Sequence, residues 1–275
     1  MSPGPSRVGI FLHHHPSGVA EPRPSSQRRE AGDGADRIAR VKGLANKRVL
    51  VTGGTSGIGL AAADRFRAEG CDVVVFARHA GNGPGEYRVD VGDLAQVSAA
   101  FAKIDPVDVV VNNAGISYRH RLLDTTPEEW NEVIGTNLTG VFNVAQTAAR
   151  TMVERGGVII NVSSTNALVG HPFYGDYNAT KAAVIALTRT MALEWAPTVR
   201  VNAVCPGYVL TPMQAAEYSP EMIAAVNEKL PLRRHARPEE IAALFAFLAS
   251  EEAAYMTGSA VVVDGGETAG GLASR

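Results

Sequence analysis

The sequence predicts an α/β domain, a doubly wound parallel sheet with helices on both faces. Three observations predict it. Valine-rich runs of strand length recur from Lys47 onward, stretches of helical length separate them, and the runs are apolar almost throughout instead of at alternate positions. Continuous apolar runs mark strands buried on both faces, and strand–helix alternation lays such strands parallel.

"KRVLVT", from Lys47, is the first strand, and "LAAADRFRAEG" is a helix ending on Gly70, a residue suited to a helix C-terminus. "CDVVVFA" and "VDVVVN" are the next strands. The long helical segment "TPEEWNEVIGTNLTGVFNVAQTAARTMVERGG" opens with Thr126, Pro127 and Glu129, a capping box with proline in its first turn. "GVIINVS", the helix "YNATKAAVIALTRTMALEWAP", "VRVNAVC", the helix "RPEEIAALFAFLASEEA" and "SAVVVD" complete the order. No internal repeat and no second-domain linker is visible, so residues 44–270 are expected to form one domain.

With 275 residues, 45% hydrophobic and 20% charged, the chain has enough apolar material for such a core. A formal net charge of -2 supplies no field for nucleic acid or anionic membranes, and no apolar run reaches spanning length. Neither partner is expected. Cys71 and Cys205 lack metal-ligand spacing, so no metal site is expected, and a reducing, cytoplasmic setting is. Residues 1–43 stand apart in composition, with Pro, Gly, Ser, Arg and the run His13 to His15; they are expected to be a disordered extension.

"VTGGTSGIG", Val51 to Gly59, lies between the first strand and the first helix. Gly53, Gly57 and Gly59, with Thr55, Ser56 and Ile58 between them, would let the backbone turn tightly and approach a pyrophosphate at the helix N-terminus. A purely structural glycine turn is the alternative, and the position after the first strand favours a dinucleotide. The second strand ends in Ala77 and Arg78 rather than in a carboxylate. An acidic residue there would bind the adenosine ribose and repel a 2′-phosphate, so its absence puts NADP ahead of NAD, with Arg78 either clamping that phosphate or simply solvated. Asp90 and Val91 are placed at the adenine, while Asn113, Ala114 and Gly115 follow the next strand; turn chemistry alone would also explain them.

"YGDYNATK", Tyr174 to Lys181, raises the question of the reactive group. On a helix Tyr177 and Lys181, four apart, share a face, whereas Tyr174 precedes the helix. An ammonium about 4 Å from a phenolate, at an effective dielectric near 20, stabilises it by roughly 4 kcal/mol. The expectation is a phenol with a lowered pKa, usable as acid or base. Tyrosine packed on a lysine stem is the alternative that spacing does not remove.

Thr52 to Gly59, Asn112 to Gly115, Asn137, Ser164 and Tyr177 to Lys181, in this order and with Ser164 thirteen residues before Tyr177, resemble the short-chain dehydrogenase/reductase family. Cys205-Pro206-Gly207 and "YMTGSAVVVDGG" extend the resemblance over nearly all of the chain after about residue 44. It implies a Rossmann-type sheet and hydride exchange between a nicotinamide and a secondary alcohol or its ketone. It further implies that Tyr177 is the acid or base, that Lys181 lowers its pKa and holds the nicotinamide ribose, and that Ser164 hydrogen-bonds the reacting oxygen. Ser163 is the neighbouring candidate, but consecutive strand residues face opposite sides.

Asn137 resembles the family asparagine that interrupts its helix and holds a relay water; a simple kink between Gly135 and Gly140 is the other reading. Pro206, Gly207, Val209 and Thr211 match the segment against the nicotinamide carboxamide, and residues 208–232 the substrate lid, with Met213, Tyr218 and Met222 available as apolar walls. The chain departs from the family in "HAGNGPGEYRV", before Asp90, which is too glycine-rich for the usual helix. The resemblance also implies a homotetramer. A catalytically silent dinucleotide-binding sensor of the same fold is the rival, set against it by the complete Ser164, Tyr177 and Lys181 set.

Overall fold

The computed structural model describes residues 41–81 and 83–270. The extension expected over 1–43 therefore falls, up to residue 40, outside the described residues, as do its histidines. Val41 packs against the core and its amide donates to Glu69 Oε2 at 3.0 Å.

The six valine-rich runs are strands: β1 (Arg48–Thr52), β2 (Asp72–Ala77), β4 (Val109–Asn112), β5 (Gly157–Val162), β6 (Val199–Pro206) and β7 (Ala260–Val263). A further short strand, β3 (Glu86–Arg88), has no apolar run to announce it and pairs with Val75 to Ala77. The described residues form one seven-stranded sheet in the order β3-β2-β1-β4-β5-β6-β7, parallel throughout. The chain runs outward from β1 to β3, then returns past β1 to β4. That reversal leaves a crevice beyond the carboxyl ends of β1 and β4, where ligands of open α/β sheets bind.

Helices cover both faces. α1 (Gly57–Ala68) and α8 (Pro238–Ala249) lie on one side; α2 (Leu94–Phe101), α4 (Gly140–Arg155) and α5 (Gly175–Trp195) lie on the other. The strands alternate between these layers. Val49 and Val51 pack with Phe66 and Phe245, whereas Leu50 packs with Val110, Ile159 and Met191. Each fully buried side chain of this size contributes about 1.5–3 kcal/mol of hydrophobic free energy.

The long segment after Thr126 is helical but not continuous. α3 (Pro127–Ile134) starts with the expected capping box, Thr126 and Glu129 exchanging bonds of 3.0 and 3.2 Å. A π turn over Gly135–Thr139 then separates it from α4. Gly140 sits so close to Val91 that a Cβ would lie 2.5 Å from its Cγ2, so the widened turn brings this backbone against the sheet. Between β2 and β3 no helix forms among the described residues, as the glycine content led one to expect. Two short helices, α6 (Pro212–Glu217) and α7 (Pro220–Lys229), fill the segment expected to be a lid.

Candidate active site

A cavity of about 320 Å³ follows the carboxyl edge of the sheet. Its floor is the turn between β1 and α1. Thr52 Oγ1 accepts from the amides of Asn113 and Ala114, both at 3.0 Å, and so ties the end of β1 to the end of β4. Asn113 Nδ2 returns a bond of 3.0 Å to the Thr52 carbonyl. Gly53 adopts φ +67° against Ala114, and a Cβ on Gly59 would stand 2.2 Å from the Gly53 carbonyl oxygen. Only glycine fits there.

Gly53, Thr55, Ser56, Gly57 and Ile58 face the cavity, whereas Gly59 lies behind them as the packing contact. Ser56, at the helix start, makes no side-chain cap, so the first amides of α1 are left to a ligand. Uncapped amides at a helix N-terminus, a glycine cradle and no acidic residue facing it suit a pyrophosphate. The residues present thus fit a dinucleotide.

At the β2 end, Arg78, Asp90 and Val91 line the cavity together with Phe76, Ala77 and His79. Arg78 is partly exposed and its Nη1 lies 3.5 Å from Glu132 Oε1 of α3. Glu132 also accepts from the Tyr118 hydroxyl at 2.8 Å. Asp90 Oδ1 is engaged by the Gly92 amide at 2.9 Å. Asn113, Ala114 and Gly115 border the middle, and Pro206, Gly207, Val209 and Thr211 the far wall.

That far end holds the residues expected from the sequence to be reactive. Ser164 lies just beyond β5, and Tyr177 and Lys181 lie one turn apart on α5; all three line the cavity. Ser163 and Ser164 lie just beyond β5 and both line the cavity, contrary to the expectation that only one would face it, but their hydroxyls have different partners. Ser163 Oγ donates to the Lys181 carbonyl at 2.8 Å, while Ser164 Oγ caps the following turn through the Asn166 amide at 3.2 Å. Lys181 Nζ donates to the Val162 carbonyl at 2.9 Å and stands 5.3 Å from the centre of the Tyr177 ring.

Electrostatics here correct the sequence expectation. Burial pushes the Tyr177 phenol up to about 12, and a hydrogen bond with Ser164 acts in the opposite direction. Burial likewise pushes the Lys181 ammonium down to about 8. Desolvation of both charged forms outweighs the attraction that spacing alone suggested, because the ammonium is turned to Val162 rather than to the phenol oxygen.

Asn137 is fully buried in the π turn beside this group and does not reach the cavity. Its Oδ1 accepts from the Ile116 amide and its Nδ2 donates to the Ile116 carbonyl, each at 2.8 Å, with Thr180 Oγ1 at 3.5 Å. The side chain braces the loop after β4 against α5.

A second cavity, about 100 Å³, adjoins the first at Ser164 and Tyr177. Of the apolar walls expected from the sequence, Met213 and Tyr218 line it and Met222 does not; Tyr174, just before α5, lines it as well. Sequence reasoning did not single out Gln214 and Glu217 of α6, nor His171 and Glu267, which come from separate parts of the chain and share no motif. Of the expected lid, α6 supplies lining residues and α7 supplies none.

A dinucleotide laid along the first cavity would bring one end of it to the half-buried Tyr177 phenol and the Ser164 hydroxyl. This is the layout of a nicotinamide-dependent oxidoreductase. The family model described as enoyl-(acyl carrier protein) reductase matches residues 53–268. The chain is 40% identical over 247 residues to 3beta-hydroxysteroid dehydrogenase 1 of Eggerthella lenta, covering 82% of this chain and 95% of that one. It is 39% identical over 251 residues to the NADP-dependent (R)-specific alcohol dehydrogenase of Lentilactobacillus kefiri, covering 84% and 98%. Ligand-free aldohexose dehydrogenase of Thermoplasma acidophilum superimposes with a TM-score of 0.79 at 34% identity, over 84% of this chain and 98% of that one. The chain belongs to the short-chain dehydrogenase/reductase family and is an oxidoreductase.

Proposed function

We propose that the protein exchanges a hydride between NADP and a secondary alcohol or its ketone, with Ser164, Tyr177 and Lys181 as the catalytic set. The observation that carries this reading is that Ser164 and Tyr177 border both cavities, the dinucleotide-shaped one and the smaller one beside it. When bound, the nicotinamide supplies or accepts the hydride.

The chain's own groups handle the oxygen and its proton. Ser164 donates a hydrogen bond to the substrate oxygen and fixes its place beside the Tyr177 hydroxyl. Tyr177, held protonated at neutral pH, gives its proton to the carbonyl oxygen in reduction and recovers it in oxidation. Lys181, charged below about 8, offsets the negative charge that the phenol acquires and is placed to reach a ribose hydroxyl. Asn137 keeps the loop at Ile116 and the Lys181 helix in register. NADP is preferred to NAD because Arg78, not a carboxylate, follows β2.

The expected start of the domain at residue 44 moves to residue 41 or earlier, because Val41 packs against the core and the Lys42 carbonyl accepts from the Glu251 amide at 3.0 Å. A cytoplasmic setting belongs to the same proposal, supported by two free thiols. No described helix is long and apolar enough to cross a membrane. Exposed Trp130 and Phe142 on α3 and α4, with Leu193 on α5, support a homotetramer packed through these helices. Light scattering giving a monomer would reject that assembly. For the reaction, absorbance of the reduced nicotinamide should change with a panel of alcohols and ketones in the purified protein and stay constant in Tyr177→Phe. Full activity in Tyr177→Phe rejects the mechanism.

A further inference from the structure

We infer that the second cavity selects an uncharged, polyhydroxylated substrate, a short polyol or the sugar carbonyl related to it. The inference rests on the hydride-transfer reading, since the cavity acquires its meaning as a substrate site from its contact with Ser164 and Tyr177.

Its wall carries many hydrogen-bonding groups, set between tyrosine rings and other apolar carbon that make up about half of its surface. Apart from Gly207 and Met213, every residue lining it carries a hydrogen-bonding side chain. Two carboxylates face it from different elements. Glu217, at the end of α6, accepts from the Tyr174 hydroxyl at 2.6 Å and from the Ser117 hydroxyl. Glu267, beyond β7, accepts from Thr165 Oγ1 at 3.2 Å and lies 3.3 Å from His171 Nε2. A carboxylate offers about four acceptor positions, so Glu217, which accepts from two hydroxyls, keeps lone pairs for further donors. Gln214 adds the complement, a buried Nε2 amide with no hydrogen-bond partner.

Acceptors and donors on one small cavity match adjacent hydroxyls, each of which both gives and takes a hydrogen bond. Other substrate classes fit worse. An acid substrate would meet two carboxylates and no counter-ion, because no lysine or arginine is among the lining residues. An alkyl ketone would leave the buried polar groups unpaired, and sites built for a hydroxyl reject analogues lacking it by large factors. An ammonium would have to compete for carboxylates already held by Tyr174, Ser117, Thr165 and His171.

The test is a comparison of kcat/KM, with NADP and with NAD, across short neutral polyols, the matching aldonic acids, amino-substituted analogues and alkyl secondary alcohols. The neutral polyols should exceed the matched acids and alkyl alcohols by roughly tenfold or more. Glu217→Gln and Glu267→Gln should narrow the polyol-to-acid ratio, chiefly through KM. Equal or better turnover of the acid, amine or alkyl series overturns the inference, as does an unchanged ratio in both variants. If a variant fails to fold, the wild-type ranking decides alone. Turnover of no member, or full activity in Tyr177→Phe, overturns the hydride-transfer reading instead, so the two failures are distinguishable.

Discussion

Lys181 Nζ stands 5.3 Å from the centre of the Tyr177 ring, yet it donates its hydrogen bond to the Val162 carbonyl at 2.9 Å. With Lys181 titrating at about 8 and Tyr177 at about 12, the site below about 8 holds an ammonium beside a neutral phenol. That is the state for ketone reduction. Its kcat should be flat at lower pH and fall as pH rises through about 8, where the ammonium is lost. Lys181→Arg, whose guanidinium does not titrate, should be slower but lack that fall. A pH–rate profile with the same descending limb in both proteins would reject the assignment.

The same burial bears on stability. The folded pKa of Lys181 lies below its ordinary 10.5, so between 10.5 and about 8 the unfolded chain binds the proton more readily. Stability from this group is present above 10.5 and is lost as pH falls to about 8. Lys181→Met should therefore be inactive but more stable than the parent at neutral pH, by about 2 kcal/mol, with the difference vanishing at high pH. Urea midpoints measured on both sides of this window check it.

Arg78 is the cation available to a 2′-phosphate at the end of β2, and its present neighbour is Glu132 at 3.5 Å. A charge-assisted contact with phosphate is worth about 1.5–3 kcal/mol, or roughly 10- to 100-fold in affinity. Arg78→Asp should shift the NADP-to-NAD ratio of kcat/KM by that factor towards NAD. Glu132→Gln, which releases the guanidinium, should shift it modestly the other way, since an exposed pair is worth little. An unchanged ratio in Arg78→Asp refutes the cofactor assignment.

What could be seen in the sequence depended on whether a local pattern existed. The valine runs and the four-residue spacing of Tyr177 and Lys181 are periodicities of strand and helix, and they survive folding unchanged. Nearly all the residues expected at the dinucleotide do meet along one cavity. The break in the helix was marked by Asn137 between Gly135 and Gly140, but its π geometry was not, and it shows only where Gly140 is found against Val91. β3 is three residues long and helix-sized patterns cannot register it. Glu217, Glu267 and His171 are brought together by topology alone. The Tyr177 pKa was misjudged because burial is a tertiary quantity, whereas spacing reports only the neighbour.

Gly59 tests the glycine cradle. A Cβ there would stand 2.2 Å from the Gly53 carbonyl oxygen and 2.5 Å from Asn113 Nδ2. Relief requires opening the bonds between Thr52 and Asn113, which hold the turn to the sheet. Gly59→Ala should cost about 1–3 kcal/mol of stability and abolish NADPH binding, read from nicotinamide fluorescence. Gly135→Ala is the control, since nothing lies within 4 Å of its added Cβ, and it should bind NADPH normally. Normal binding by Gly59→Ala would contradict the cradle.

A row of buried amides ties α5 to the sheet. Asn161, fully buried near the carboxyl end of β5, accepts from Asn112 Nδ2 of β4 and donates to Thr188 Oγ1 of α5, each at 2.9 Å. Thr188 passes its own proton to the Val184 carbonyl at 2.8 Å. Because α5 also bears Tyr177 and Lys181, the row fixes the height of these proposed catalytic groups above β5. Asn161→Ala strands a donor on Asn112 and an acceptor on Thr188 in a water-free layer, at a cost of about 2–4 kcal/mol. Urea unfolding should show a lower midpoint with an unchanged slope. The double variant Asn161→Ala with Thr188→Val should lose less than the sum of the single changes, because the second change removes a group the first had already orphaned. Strict additivity would show that the two side chains do not form one network.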